Sequence, residues 1–215
     1  MNIEDADSIM SLVRDFAVSV IPGTRAMRDN SAQNVHVFTK LHELALSVPQ
    51  LNLTPFTNCV VHVSIMGRDL ANFELCILEN WSDTDLTPTL ISHFYLSTYK
   101  FLERWPEALQ KKSVRSCLQQ WRADGFGSEI KSLNAEYLAI RQKWWDTLTQ
   151  VRNNLSGHFD ADASKLLSTF EMINFMSFIE LSKSVNDLQE KTVTALTLMS
   201  NEMQIFIQKF SSALK

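Results

Sequence analysis

The chain has 215 residues, of which 45% are apolar and 20% charged. Its net charge of −4 and isoelectric point of about 5.7 are unlike those of a general nucleic-acid binder, in which a broad basic face dominates affinity. Five glycines and five prolines leave little material for hairpins or disordered linkers, so we expect helices throughout. The acidic start MNIEDADSIM is unlike a secretory signal, and no apolar run reaches membrane length without a charge. These features predict a cytoplasmic protein without a membrane segment.

Apolar residues recur at steps of three and four along most of the chain, which is the spacing of amphipathic helices. Two boundaries rest on proline, at Ile-Pro-Gly (21–23) and at Trp-Pro (105–106). The pattern predicts an all-α bundle of about seven or eight helices, over roughly 3–20, 24–47, 57–80, 88–104, 106–123, 128 into 151–160, 163–182 and 185–213.

The clearest loop is SDTDLTP at 82–88. It predicts an N-terminal helical extension (1–81) packed on a helical bundle (88–215), with one continuous domain as the alternative. In the last helix an apolar stripe at three-four spacing resembles a coiled-coil seam, which packs either internally or against a second copy: Val185, Leu188, Leu196, Met199, Met203, Phe206, Phe210 and Leu214. The cysteines, Cys59, Cys76 and Cys117, form no CxxC pair and are predicted to be reduced, buried thiols.

Several kinds of catalytic site are absent from the sequence. HELAL at 42–46 begins like a zinc-protease helix, but Leu46 stands where the second histidine ligand is needed. No glycine-rich loop precedes a helix, and there is no GxSxG motif. We therefore predict no metal and no cofactor.

One polar stretch, VRNNLSGHFD at 151–160, carries the groups that RNA cleavage requires. His158 can exchange a proton near neutral pH, as attack by a ribose 2'-hydroxyl demands. Arg152 can stabilise the negative charge that gathers on the phosphate, and Asn153 can orient a side chain or hold a phosphate oxygen. No metal is needed for this chemistry.

RNNLSGH resembles the signature of the HEPN family. That signature is an arginine followed directly by Asn, Asp or His, with a histidine after four to six residues counted from the arginine. Here five residues lie between Arg152 and His158. The resemblance covers roughly 128–215 and implies a four-to-five-helix core. It further implies a metal-independent endoribonuclease that acts as a homodimer on RNA, often as a toxin or abortive-infection effector with an antitoxin or regulatory partner. Asp160 replaces the tyrosine that some members present for modification, which argues against control by that route.

Helix geometry constrains this hypothesis. On an unbroken helix Arg152 and His158 point about 120° apart, so they converge only through a break at Asn154, Ser156 or Gly157, or across a two-fold axis. The alternative is that the stretch is only a polar helix end, with Asn154 and Gly157 as its C-cap. In that case, or if the motif keeps its role in the fold but has lost activity, the chain is a non-catalytic helical interaction protein.

Two groups of basic residues are candidates for contacting RNA. Lys111, Arg115 and Arg122 fall within about 40° of one another on a predicted helix, although a solvated charged face explains the same pattern. Arg141 shares a helix face with Trp145 and Arg152.

Overall fold

The computed structural model of the chain describes residues 3–83, 86–121, 127–156 and 173–213. Those residues contain no strand, and their six α-helices are α1 (Ile3–Ser47), α2 (Thr54–Glu79), α3 (Leu86–Leu109), α4 (Lys112–Gln120), α5 (Gly127–Ser156) and α6 (Phe175–Ala213). A short 3₁₀ turn, Pro49–Leu51, joins α1 to α2. The all-α prediction is confirmed, and the predicted count of seven or eight helices is higher than the six described. Residues 163–172, assigned to a helix of 163–182, lie outside the described residues.

The helices predicted over 3–20 and 24–47 are in fact one, because α1 continues through Pro22 and Gly23. A proline inside a helix costs about 3 kcal/mol. Buried side chains repeat every seven residues on both sides of Pro22 and form a single seam against α2, so a continuous helix keeps both halves in register. The seam comprises Ala17, Thr24, Ser31, Phe38 and Ala45.

Two further predicted boundaries are wrong for related reasons. Helix α3 passes through Pro106 and ends at Leu109, because Trp105 is fully buried and stacked on another aromatic ring of the core. The break predicted near 183–184 is absent, since Leu181 and Val185 lie buried along one uninterrupted stripe of α6.

Helices α2, α3, α5 and α6 run alternately up and down and surround the core. Pairs of contacts in opposite order along the chain give the directions. Tyr99 and Trp105 of α3 stack on Trp145 and Tyr137 of α5, respectively. Likewise Glu74 and Val63 of α2 contact Ser182 and Gln189 of α6, and a short connection joins α2 to α3. Helix α1 packs outside this bundle, antiparallel to α2, and α4 packs on α2. One cluster of buried apolar side chains extends from Ala17 to Met203. The division of the chain at 82–88 stays a prediction.

The seam-like stripe of the last helix packs inside the bundle as far as it is described. Its members from Val185 to Met203 are buried, whereas the side chains of Phe206 and Phe210, and residue Leu214, lie outside the described set. Among the cysteines, Cys59 and Cys117 are buried, but the prediction is wrong for Cys76, which faces outward on α2 and is exposed. None of the described helices combines the length and apolarity needed to cross a membrane.

Candidate functional site

One face of α5 carries four side chains that lie on a single stripe. Tyr137, Arg141, Trp145 and Arg152 are separated by four, four and seven residues, which places them within about 80° of one another around the helix. Arg141 and Trp145 are half-buried, and Arg152 is exposed. The stripe therefore runs from the core to the surface near the end of the helix.

The side chains of this stripe form a continuous set of cation–aromatic contacts with Tyr99 of α3. The guanidinium carbon of Arg141 lies 4.3 Å from the ring centroid of Trp145, and the Trp145 ring stacks on that of Tyr99 at 4.8 Å. The guanidinium carbon of Arg152 lies 5.0 Å from the Tyr99 centroid. We call these four residues, Arg141, Trp145, Tyr99 and Arg152, the cation–aromatic ladder.

Hydrogen bonds fix the two guanidinium groups at the ends of the ladder. Nη1 of Arg141 donates to Oη of Tyr137 at 3.2 Å, and Nη1 of Arg152 donates to Oη of Tyr99 at 3.4 Å. The Tyr99 hydroxyl in turn donates to Oε1 of Glu103 at 3.4 Å. Each arginine thus has both a ring face and a hydroxyl to orient it, and such a cation–π contact contributes about 0.5–1 kcal/mol at an exposed site.

The ladder is anchored in the bundle core. Tyr137, beneath Arg141, stacks on the buried Trp105 at 4.9 Å with the ring planes 10° apart. Nε1 of Trp105 donates to Oγ1 of Thr192 on α6 at 3.2 Å. Helices α3, α5 and α6 therefore all contribute to holding this surface, which limits how far the guanidinium groups can move.

The RNNLSGH motif begins at the exposed end of the same helix. Arg152 and Asn153 are exposed and Asn154 is half-buried, and α5 stays helical through Ser156. Asn154 therefore does not break the helix, and no break precedes the end of α5 at Ser156. Gly157 and His158 lie outside the described residues, so the geometry described for the motif is that of its arginine and asparagines.

The other basic candidates belong to a different surface. Lys111 precedes α4, and it lines a cleft of about 270 Å³ with His62 of α2 and Arg104 of α3. Arg115 is exposed on α4, and Arg122 lies outside the described residues. The structure thus brings Arg141 together with Arg152, and groups Lys111 with residues of α2 and α3.

Tyr99 is the residue of this site that the sequence did not reveal. It is 6% exposed, and it lies in an aromatic-rich stretch of α3 where Phe94, Tyr95 and Phe101 are core residues. Nothing in that local pattern separates a tyrosine that orients an arginine from one that fills the core. Only the packing of α3 against α5 distinguishes it.

The described part of the chain contains no group of three or more His, Cys, Asp or Glu side chains arranged to hold a metal ion. Comparisons with protein-family models, with curated proteins and with solved structures find no match to this chain. The RNNLSGH motif and the surface around Arg152 are therefore the features of this chain that point to a function.

Proposed function

We propose that the chain is a metal-independent endoribonuclease of the HEPN type that acts in the cytoplasm. In this proposal Arg152 stabilises the charge on the phosphate, His158 transfers the proton, and Asn153 orients a side chain or a phosphate oxygen. The assignment of His158 rests on the motif and on the chemistry of its side chain.

The observation that carries the proposal is the fixed position of Arg152. Its guanidinium contacts the ring face of Tyr99 and donates to the hydroxyl of that residue, while the side chain remains exposed. An arginine oriented before the substrate arrives loses less conformational entropy on binding a phosphate than a mobile one. This is the property expected of a group that stabilises a transition state.

The second guanidinium of the ladder supports binding of an extended polyanion. Arg152 follows Arg141 by eleven positions, so the Cα atoms of the two residues are about 16 Å apart along the axis of α5. A single RNA strand lying along this face would meet both positive charges, although the protein is acidic overall. Lys111, Arg115 and Arg122 stay separate candidates for contacting RNA, because Lys111 and Arg115 lie on a different surface and Arg122 lies outside the described residues.

A homodimer completes the proposed chemistry. Cleavage through the 2'-hydroxyl needs one group to remove a proton and another to supply one, and each chain offers one histidine in its motif. Two motifs meeting at a two-fold axis would provide both. The resemblance to HEPN proteins adds a role as toxin or defence effector, with an antitoxin or regulatory protein as partner.

A growth assay tests the proposal in cells. Induced expression of the wild type should arrest growth, and both His158→Ala and Arg152→Ala should restore it. Arg25→Ala is a matched control, because Arg25 is an exposed arginine of α1 that pairs with Glu79. Arrest that persists undiminished in His158→Ala at equal expression would contradict the proposed chemistry.

A groove between α1 and α6 favours the alternative, a non-catalytic interaction protein. The groove measures about 790 Å³; its apolar lining comes mainly from α1, and polar side chains of α1 and α6 complete it. In the apolar lining Val37 and Leu44 are 49% and 52% exposed, as in grooves that accept a partner helix. A phenotype abolished by Leu44→Glu and retained by Arg152→Ala would favour this alternative.

A further inference from the structure

A carboxyl group is buried between α1, α2 and α6 at a distance from the RNNLSGH motif in the sequence. Glu74 of α2 is 0% exposed, and its Oε1 accepts a hydrogen bond from Oγ of Ser182. Its Oε2 accepts from Nδ2 of Asn186 at 2.7 Å and from Oγ1 of Thr24 at 3.3 Å. None of the ion pairs among the described residues includes Glu74. A buried carboxylate without a cation is costly even when it is hydrogen-bonded.

A cleft of about 640 Å³ borders this carboxyl group, whose oxygens are covered by the side chains that donate to them. It lies where α1 and α6, which both pack on α2, leave a gap between them. Apolar side chains, including Phe16, Val20 and Val193, form much of its wall. The second polar group at the cleft is Asn186, whose Oδ1 is buried and accepts no hydrogen bond from the described residues.

These groups define what the cleft can bind. A carboxylate and an amide oxygen are both hydrogen-bond acceptors, so the ligand must bring donors, and the buried negative charge selects a cation. The apolar wall suits methylene groups, and the volume exceeds what one metal ion needs. We propose that this cleft binds an aliphatic amine. The amide of Asn186 turns away from Oε2 of Glu74, and the ammonium group takes its place and donates to Oδ1 of Asn186. The methylene chain of the amine packs against Phe16 and Val20.

Binding of such an amine is coupled to protonation of Glu74. Burial raises the pKa of this carboxyl group, although the hydrogen bonds from Ser182, Asn186 and Thr24 oppose the shift. An ammonium group favours the ionised carboxylate, so binding releases a proton wherever Glu74 is protonated beforehand. The other charged side chains lining the cleft, Lys183, Asp187 and Glu190, all come from α6.

Calorimetric titration with putrescine tests the proposal directly. At pH 8 the wild type should bind putrescine saturably, and Glu74→Gln should weaken binding at least tenfold, because the variant keeps the shape of the side chain and loses its charge. Glu202→Gln, which removes an exposed carboxylate of α6 outside the cleft, should bind as the wild type does. Butane-1,4-diol, which has the same length and no charge, should not bind.

A second variant keeps the test decisive if Glu74→Gln fails to fold. Gly23 lines the cleft, and a Cβ added there meets no atom within 4 Å, so Gly23→Leu should fold while filling the space that the amine would occupy. It should also weaken putrescine binding at least tenfold. The proposal is overturned if the wild type shows no saturable binding up to about 10 mM putrescine, or if both cleft variants bind as tightly as the wild type.

Discussion

Replacing Gly67 by alanine tests how tightly α6 packs against α2. A Cβ at position 67 would lie 2.0 Å from Nε2 and 2.6 Å from Cδ of Gln189. The Gln189 side chain is fully buried, and its Nε2 donates to the carbonyl oxygen of Val63 at 3.1 Å. The side chain of Gln189 cannot keep that hydrogen bond and also make room for a methyl group.

The magnitude follows from three contributions. Alanine is favoured over glycine inside a helix by about 1 kcal/mol. Against this, overpacking costs about 1–3 kcal/mol, and displacing a buried amide from its hydrogen bond costs about 1–3 kcal/mol more. We therefore expect Gly67→Ala to lower the free energy of unfolding by about 1–5 kcal/mol. Gly23→Ala is the matched control, because its added Cβ meets nothing within 4 Å and it should stabilise by about 0.5–1 kcal/mol.

Urea unfolding followed by circular dichroism at 222 nm measures both variants. A double-mutant cycle identifies the cause: in a Gln189→Ala background the clash is gone, so Gly67→Ala should become neutral or stabilising. If Gly67→Ala alone is as stable as Gly23→Ala, then Gln189 does not occupy the position that the structure assigns to it.

Three further predictions concern charge, reactivity and assembly. The folded state holds the pKa of Glu74 above its ordinary value, so the stability that protonated Glu74 contributes is present in acid and is lost as the pH rises through the folded pKa. In urea titrations the stability of Glu74→Gln should therefore increase relative to that of the wild type between pH 5 and pH 8. A difference that stays constant with pH would contradict this. Burial raises the pKa of Cys59 to about 12 and that of Cys117 to about 11. At pH 8 only the exposed Cys76 should therefore react rapidly with a thiol reagent, whereas all three cysteines should react in urea. Rapid reaction of all three in the native protein would refute the assigned burial. Light scattering should give the mass of a homodimer, whereas a monomer would contradict the proposed assembly of two motifs.

The helical class was predictable from composition and from three-four spacing, but the ends of several helices were not. Pro22 and Pro106 each predict a helix boundary, because a proline disfavours the α conformation in the residue before it. The seven-residue repeat on both sides of Pro22 is a signal of continuity in α1, but it does not stand out as an apolar pattern because Thr24 and Ser31 are polar. For α3 there was no comparable signal, since the burial of Trp105 depends on α5 and α6.

The sequence revealed part of the candidate site. Arg141, Trp145 and Arg152 were assigned to one face of a helix from their spacing, and their contacts in the ladder agree with that face. Tyr99 joins them from another helix, 46 residues before Trp145, and periodicity within one segment carries no information about such a partner. Glu74 was missed for the same reason, because the groups that bond to it come from α1 and α6.

The most direct test of the proposed ribonuclease is incubation of single-stranded RNA with the purified protein in the presence of a chelator. The wild type should cut RNA, leave 2',3'-cyclic phosphate ends and spare DNA, because the attacking group is the 2'-hydroxyl of the substrate. Arg152→Ala and His158→Ala should each slow cutting by about two or more orders of magnitude with little loss of folding, and Asn153→Ala should have a smaller effect. Cutting that persists in His158→Ala, or that requires added magnesium or manganese, would contradict the proposal.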